Sequence, residues 1–265
     1  MTKIFYQDET GFDTRQGNLK LSDCLKLPLE LRVALKEVLG DDVLLNPTQN
    51  EALECGITET NGKDFLVTAP TNSGKTLIAV FRIFSRVMLG DRRCVFVAPL
   101  KALAEEKAFE FRAIADHLAK KGGKKIRVSV TTGDYQTSRD FLGSPPPKQG
   151  EIIICTPERL EVMLRNHSNH EWARAVDSFV FDEFHLIGDH SRGATVETLI
   201  TRIFHLGCWS SLVLLSATLG SPDKIVKWFS CAKRSLVHID SKYRFPKIQR
   251  NVVLAETTGD SLEEI

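Results

Sequence analysis

The chain has 265 residues, 42% of them hydrophobic, and its 35 basic and 34 acidic residues leave a formal net charge of +1. This apolar content suffices for one large or two small cores, but so balanced a charge neither favours nor excludes a nucleic-acid partner. No apolar run approaches the roughly 20 residues that span a bilayer, and the start lacks a signal-peptide pattern, so we expect an intracellular globular protein, cytoplasmic or nuclear. The six scattered cysteines form no C-x-x-C pair, so we expect neither a zinc nor a redox site.

The amino-terminal part of the chain is predicted to hold an arm and then a helix. Residues 1–27 are polar and lack a sustained period, which predicts an N-terminal extension with weak order. A helix is predicted next, since Pro28 suits a first helical turn and apolar residues then share one face up to Gly40. We therefore expect the compact domain to span residues 28–240.

From Phe65 onward, short apolar runs alternate with longer amphipathic stretches. The candidate strands are Phe65–Ala69, Cys94–Ala98, Ile126–Val130, Glu151–Cys155, Ser178–Asp182, Leu212–Ala217 and Leu236–Ile239. The candidate helices between them are Leu77–Met88, Ala102–Leu118, Pro157–Leu164 and Ala194–Phe204. Three consecutive prolines predict a surface loop over residues 143–150, because proline supplies no backbone donor to a sheet. The pattern predicts an α/β fold with a parallel sheet and helices on both faces.

The segment between the first strand and its helix has the pattern of a phosphate loop. Residues 69–76 are Ala-Pro-Thr-Asn-Ser-Gly-Lys-Thr, in the strand–loop–helix context that such a loop requires. Backbone N–H groups of this loop can form an anion nest, to which the helix dipole adds. The candidate ATP ligands are Thr71, Asn72, Ser73, Gly74, Lys75, which would reach the outer phosphates, and Thr76, which would ligate Mg²⁺. The alternative is a chance Gly-Lys-Thr turn, and Ala69 stands where the usual pattern has glycine.

Two carboxylates and an imidazole follow a buried strand downstream. Asp182 is a candidate Mg²⁺ ligand, acting largely through water, and Glu183 is placed to orient and deprotonate the water that attacks the γ-phosphate. His185 completes the candidate catalytic group with Lys75, although a structural histidine is the alternative. An Asp-Glu pair at a strand end is also typical of a solvated turn or a helix cap.

A second strand ends in hydroxyl side chains, within Ser216-Ala217-Thr218. One interpretation is a polar strand end that caps the next helix. The other is a coupling relay, in which Ser216 and Thr218 hydrogen-bond to the acidic motif and report the nucleotide state to a nucleic-acid surface.

These three motifs, in this order, resemble the second helicase superfamily over residues 44–245. The resemblance implies a RecA-like domain that binds ATP and Mg²⁺, translocates on a nucleic-acid strand and separates duplexes. Asn46-Pro47-Thr48-Gln49 is similar to the Q motif, which implies that the Gln49 amide recognises the adenine edge.

The resemblance also implies a strand-binding surface. Residues 98–107 are similar to motif Ia and residues 156–160 to motif Ib, both directly after predicted strands, and the Thr-Gly-Asp turn at 132–134 is of the same kind. The implied nucleic-acid contacts are Lys101, Thr132, Gly133, Thr156, Pro157 and Arg192. The basic cluster at residues 120–125 is better explained as a helix-to-strand connection with solvated lysines.

Within the superfamily the chain is most similar to the Ski-like group, and in it to HELQ-like DNA repair helicases. Residues 99–107, 132–135 and 192–197 carry this similarity, and Ski-like RNA helicases share looser versions of all three. DNA is therefore the favoured partner, with RNA as the alternative. Phe184 and Asn72 depart from the usual pattern without removing a catalytic group.

The resemblance implies a second RecA-like domain in the same parent protein, which supplies arginine fingers to the ATP site. Residues 241–265 resemble the connector toward that domain, and no Q-x-x-G-R-x-G-R pattern occurs in the chain. Such a finger changes turnover by about 10³–10⁵. We therefore expect the isolated chain to bind ATP weakly, to hydrolyse it poorly and not to unwind a duplex.

Two other classes of protein share parts of this pattern. One is a RecA-like module that binds nucleic acid or protein without turnover, which the intact Lys75, Thr76, Asp182 and Glu183 disfavour. The other is a different P-loop ATPase, such as a transporter subunit or a nucleotide kinase. That class explains neither the Gln49 segment nor residues 216–218, and no L-S-G-G-Q signature is present.

Overall fold

A computed structural model describes residues 19–40, 43–59, 62–120, 122–123, 125–132, 149–207 and 210–243 of the chain. The strands are β1 (Asp64–Thr68), β2 (Arg93–Val97), β3 (Ile126–Thr131), β4 (Gly150–Cys155), β5 (Val176–Phe181), β6 (Ser211–Ser216) and β7 (Leu236–Asp240). The helices are α1 (Leu29–Leu39), α2 (Pro47–Glu54), α3 (Lys75–Val87), α4 (Lys101–Lys120), α5 (Pro157–Arg165), α6 (His170–Arg174), α7 (Gly193–His205) and α8 (Pro222–Cys231). Short 3-10 turns cover Leu21–Asp23, His167–Asn169 and Phe184–Gly188.

The strands form one parallel sheet in the order β3-β4-β2-β5-β6-β1-β7. β1, β2, β4 and β6 are buried along their whole length, whereas the edge strands β3 and β7 are partly exposed. Complete burial explains why the inner strands lack polar alternation, since helices cover both faces. The predicted strands and the predicted sheet are confirmed.

Apolar residues from the two faces of the sheet form two separate cores. Residues of α1, α2, α3 and α4 fill one, in which the ring of Phe111 meets Phe84 and Phe96 edge-on at centroid distances of 5.7 and 5.4 Å. Residues of α5, α6, α7 and α8 fill the other. The helices are long enough to bury one face each, which completes the expected three-layer arrangement. None of them, within the described ranges, has the length and apolar content to cross a bilayer.

The structure departs from the predicted boundaries at the amino-terminal end. Leu21, Cys24 and Leu27 are at most 2% exposed and join the first core, and Lys20 forms an isolated antiparallel bridge with Leu44. Residues 19–27 are therefore a packed part of the domain and not a weakly ordered arm, whereas residues 1–18 lie outside the described residues. The apolar residues in this segment, at positions 19, 21, 24, 25 and 27, follow neither a helical nor an alternating period over their whole length.

Other differences concern short elements. Helices α2, α6 and α8 are present but were not among the predicted helices. Residues 143–148 of the predicted proline loop lie outside the described residues. Gly150, placed at the end of that loop, instead starts β4, where a Cβ would lie 2.5 Å from the Val87 carbonyl oxygen. Only glycine allows β4 to approach the end of α3 so closely.

Buried ion pairs hold the amino ends of the strands. Arg234 donates two hydrogen bonds to Asp64 at the start of β1, and Arg86 of α3 donates two, each of 2.7 Å, to Asp177 in β5. These charges pair within the protein, which leaves the opposite, carboxyl edge of the sheet for the predicted site.

Candidate functional site

The phosphate loop and the acidic motif lie side by side at the carboxyl edge of the sheet. The loop follows β1 and the acidic motif follows β5, and β6 lies between these two strands. Backbone hydrogen bonds extend the sheet into the motifs, from Ala69 N to Ser216 O at 3.1 Å and from Asp182 N to Val97 O at 2.9 Å. Residues more than 100 positions apart in sequence are thus held at one edge.

The phosphate loop has the strand–loop–helix geometry that its sequence predicted. Asn72 and Gly74 both have positive φ, 62° and 73°, so the backbone curls before α3 begins at Lys75. Thr71 and Asn72 are exposed, whereas Ser73 is buried. A Cβ on Gly74 would lie 2.4 Å from Gln49 Nε2, so a side chain at this position would displace the Gln49 amide. Successive N–H groups in such a curl can converge on an anion.

Lys75 points back under the loop. Its Nζ donates to the carbonyl oxygens of Ala69 at 2.7 Å and Pro70 at 2.9 Å, and the residue is 7% exposed. Burial lowers the pKa of the Lys75 ammonium, while the nearby carboxylates of Glu183 and Asp182 oppose this shift. The Lys75 ammonium therefore lies at the loop and close enough to the acidic motif for its carboxylates to act on it.

The two acidic residues have different surroundings. Burial, and then the neighbouring charge of Glu183, raise the pKa of Asp182 above its usual range, although the carboxylate accepts a hydrogen bond from Glu183 N at 3.0 Å. Glu183 has φ 50°, a conformation in the left-handed region that strains a residue with a side chain. Strain of this kind and a raised carboxyl pKa are typical of functional sites.

His185 lies against Glu183. The distance from His185 Nδ1 to Glu183 Oε2 is 3.2 Å, close enough for an ion pair, but the two atoms do not have hydrogen-bond geometry. Both are buried without a hydrogen-bond partner. The same is true of Ser73 Oγ in the phosphate loop and Ser216 Oγ at the end of β6. Four of the ten such atoms among the described residues lie in these motifs, where a bound polar ligand could supply the missing hydrogen bonds.

Ser216 does not make the predicted relay hydrogen bond to the acidic motif. Residues 212 and 214 face the second core, and the two-residue period of β6 turns Ser216 to the same side. Asp182 lies two residues after Val180, which faces the first core, so the same period directs Asp182 to the side of the sheet opposite Ser216. Thr218 is exposed, and within the described residues neither its hydroxyl nor that of Ser216 bonds to the acidic motif, while Ala217 is partly buried. Ser216 instead contacts the loop through its carbonyl oxygen.

Gln49 braces α2 against the phosphate loop. Its Oε1 accepts from Asn46 N at 3.0 Å and its Nε2 donates to Gly74 O at 3.1 Å, so both ends of the amide are already bonded within the protein. Asn46 donates in parallel from Nδ2 to Ser73 O at 2.8 Å. Sequence reasoning assigned Gln49 to adenine and missed Asn46. The Asn-x-x-Gln spacing of a reciprocal helix cap is the signal that could have found it.

The predicted strand contacts lie on the other half of the same edge. Lys101 starts α4 after β2, Thr132 follows β3, and Thr156 and Pro157 follow β4, and these three strands are neighbours. Lys101 is exposed, whereas Thr132 and Thr156 are 3% and 6% exposed. Gly133 lies outside the described residues.

The hydroxyl of Thr156 is used within the protein, since it accepts from Arg159 N at 3.4 Å as the cap of α5. Arg159 also reaches across to Thr131 Oγ1 at 3.1 Å, and sequence reasoning did not select it. The Thr156 hydroxyl thus serves as the cap of α5.

Arg192 is separated along the chain from the other strand contacts but lies beside them in the fold. It precedes α7, and its Nε donates to Glu158 Oε1 in the first turn of α5 at 2.9 Å, with Nη2 at 2.7 Å from the same oxygen in an ion pair. Glu158 was not identified from the sequence, and nothing local signals a partner 34 residues away.

Residues 46–225 match the family model described as DEAD/DEAH box helicase. A similar curated protein is the ATP-dependent DNA helicase Hel308 of Pyrococcus horikoshii, which is 37% identical over 227 residues. The match covers 84% of this chain and 28% of that protein. The chain therefore spans little more than a quarter of the length of this relative.

Two solved structures share the fold. Helicase Lhr of Mycobacterium smegmatis, bound to single-stranded DNA and AMP-PNP, has a TM-score of 0.65 at 25% identity, over 84% of this chain and 28% of that one. The DEAD-box helicase Mss116, bound to single-stranded RNA and UDP-BeF, has a TM-score of 0.65 at 23% identity, over 84% of this chain and 46% of that one. The expected RecA-like fold is confirmed.

Proposed function

Because the chain belongs to the DEAD/DEAH box helicase family, we propose that it is the ATP-binding half of a motor that moves along a nucleic-acid strand and separates duplexes. The observation that carries this proposal is the sheet order. It brings Lys75, Asp182 and Glu183 to one half of the carboxyl edge and the candidate strand contacts to the other half. A binding module without turnover would need the second half alone.

ATP is the proposed substrate of the first half. The loop N–H groups at residues 71–74 bind its phosphates, and Lys75 exchanges the Ala69 and Pro70 carbonyl oxygens for phosphate oxygens. Glu183 orients the attacking water and accepts its proton, while His185 Nδ1 lies 3.2 Å from the Glu183 carboxylate. Gln49 supports the loop from outside through Gly74, and its remaining N–H is the group that can contact adenine.

The residues present fit a Mg²⁺ ion bound together with ATP. The raised pKa of Asp182 and the unpartnered Oε2 of Glu183 are what a nearby cation would relieve. No group of three or more His, Cys, Asp or Glu side chains among the described residues could hold a metal ion, so Thr76, Asp182, phosphate oxygens and water would supply the ligands. When bound, Mg²⁺ neutralises charge that develops on the phosphates.

A nucleic-acid strand is the proposed partner of the second half, with DNA favoured. Hel308 is named a DNA helicase, and the Lhr structure contains single-stranded DNA. The Mss116 structure contains single-stranded RNA on the same fold, so RNA is the second candidate. We further propose that a second RecA-like domain of the parent protein completes the ATP site.

Nucleotide binding tests the first half. We expect a fluorescent ATP analogue with Mg²⁺ to bind the chain weakly, Lys75→Ala to lose that binding, and Glu183→Gln to retain it, because Glu183 acts on water and not on the phosphates. Equal binding by wild type and Lys75→Ala would contradict the proposed site.

Turnover tests the second half and should be measured on the chain and on the parent protein. ATP hydrolysis is followed with single-stranded DNA, single-stranded RNA or no strand, beside Glu183→Gln. We expect stimulation by DNA in the parent and little turnover in the chain alone. Stimulation by RNA alone would favour the second candidate, and strong turnover by the chain alone would contradict the need for a second domain.

A further inference from the structure

Arg192 lies at the junction between the two halves of the carboxyl edge. Its Nε donates to Oε1 of Glu158 at 2.9 Å, and its Nη2 lies 2.7 Å from the same oxygen in an ion pair. Glu158 belongs to the first turn of α5, next to Thr156 and Pro157. The ion pair thus joins the turn that follows the acidic motif to the helix that carries candidate strand contacts.

The backbone at Arg192 is fixed by a well-bonded turn. Asp189 Oδ1 accepts from Ser191 N at 2.8 Å, from Ser191 Oγ at 2.6 Å and from Arg192 N at 2.9 Å. These hydrogen bonds lower the pKa of Asp189 to about 2. A Cβ on Gly193 would lie 2.4 Å from the Ile187 carbonyl oxygen, so α7 starts in direct contact with the 3-10 turn after the acidic motif. Arg192 therefore projects from a rigid base.

The Arg192–Glu158 pair is not what holds α5 and α7 together. A second pair does this from a buried position, where Glu161, with 4% of its side chain exposed, accepts from Arg202 at 2.9 and 3.2 Å. The outer pair is more accessible, with 25% of the Arg192 side chain and 51% of the Glu158 side chain exposed. Exposed pairs change an equilibrium by only about two- to fivefold, so the outer pair can open without unfolding the domain.

We propose that Glu158 keeps Arg192 oriented in the absence of nucleic acid and that a backbone phosphate of a bound strand replaces Glu158 as the partner of Arg192. This inference rests on the proposed strand binding. A phosphate presents several acceptor oxygens to the planar guanidinium, whereas Glu158 offers a single oxygen here. Glu158 thereby lowers the affinity of the surface for a strand. In the exchange, Arg192, which lies in the turn after the acidic motif, leaves Glu158 of α5 and binds the strand.

The test is strand affinity of the 265-residue chain at low salt, followed by fluorescence anisotropy with labelled oligo-dT and oligo-U. The variants are Glu158→Gln, Arg192→Gln and the double variant, with thermal unfolding to verify the fold. Glu171→Gln is the matched control, because it removes the same charge from an exposed residue of α6, which precedes the amino end of β5. We expect Glu158→Gln to bind about two- to fivefold more tightly, Arg192→Gln to bind more weakly with a salt slope smaller by about 1, and the control to match wild type.

The double variant separates exchange from simple repulsion. If Arg192 must leave Glu158, removing the carboxylate helps most when Arg192 is present. If Glu158 only repels phosphates, its removal helps more in the Arg192→Gln background, where the carboxylate is unpaired, and the exchange is overturned. Weaker binding by Glu158→Gln would also overturn it, since the pair would then persist in the complex. A wild-type chain that binds neither strand refutes the proposed function itself, whereas wild-type binding unaffected by Glu158→Gln refutes the exchange alone.

Discussion

The contact between Gly74 and Gln49 gives a prediction whose magnitude follows from the structure. Gly74→Ala places a side chain at φ 73°, which costs about 1–2 kcal/mol in the left-handed region. The new Cβ would also lie 2.4 Å from Gln49 Nε2. Gln49 must then release the Gly74 carbonyl oxygen, at about 1 kcal/mol, and its reciprocal cap with Asn46 is disturbed. We expect a loss of about 2–4 kcal/mol in the free energy of unfolding.

A double-mutant cycle separates the two contributions. In a Gln49→Ala background the 2.4 Å contact is absent and only the looser contact of 3.0 Å with Asn46 Nδ2 remains, so Gly74→Ala should cost little more than the conformational part, about 1–2 kcal/mol. Gly207→Ala is the matched control, because Gly207 has φ 65° and no atom within 4 Å of its Cβ position. Urea unfolding of the variants, followed by circular dichroism, measures each term. Additive effects of Gly74→Ala and Gln49→Ala would refute the proposed brace between α2 and the loop.

Three further predictions use the same domain. Gly193→Ala should destabilise the fold by about 1–3 kcal/mol, since its Cβ meets a backbone oxygen, whereas Gly188→Ala, which has open space, should stay within about 0.5 kcal/mol in the same urea assay. Asp182→Asn should raise the melting temperature in the absence of nucleotide while abolishing turnover, because burial and a like charge raise the pKa of Asp182; an unchanged or lower melting temperature would contradict this. Burial alone would raise the pKa of Asp177, but the hydrogen bonds from Arg86 lower it. The stabilisation of the fold by the ionised Asp177 is therefore full above the ordinary carboxyl pKa near 4 and is lost as the pH falls through the lower pKa of the folded state. Arg86→Gln should flatten the acid side of a profile of unfolding free energy against pH.

The strands could be predicted from the sequence because a buried parallel strand is a continuous apolar run bounded by polar motifs. β1, β5 and β6 each end directly before a motif, so their prediction also located the site. Helix α2 could not be found in this way. Its residues Pro-Thr-Gln-Asn-Glu-Ala-Leu-Glu bury only one narrow side, and its start depends on the cap by Asn46. A polar helix whose position depends on a distant loop carries little local signal.

The site residues also differ in how far the sequence could predict them. The places of Lys75 and Asp182, in motifs that directly follow strands, could be predicted, and the structure brings these residues together. Contacts between distant segments could not. The bond from Gln49 to Gly74 spans 25 positions and that from Arg192 to Glu158 spans 34, and sequence spacing alone does not determine which side chains meet across such intervals.

The two edges of the sheet differ in whether their buried carboxylates are paired with arginines, and this contrast favours the carboxyl edge as the functional edge without reference to any motif. At the amino edge, buried carboxylates such as Asp64 and Asp177 are each paired with an arginine, as expected when charge is buried for structural reasons. At the carboxyl edge, Asp182 lies beside another carboxylate, and Glu183 has a strained backbone and an unpartnered oxygen. Folding alone would favour the first arrangement at both edges. On the proposed function, a bound cation and phosphates would satisfy Asp182 and the unpartnered Glu183 oxygen at the carboxyl edge.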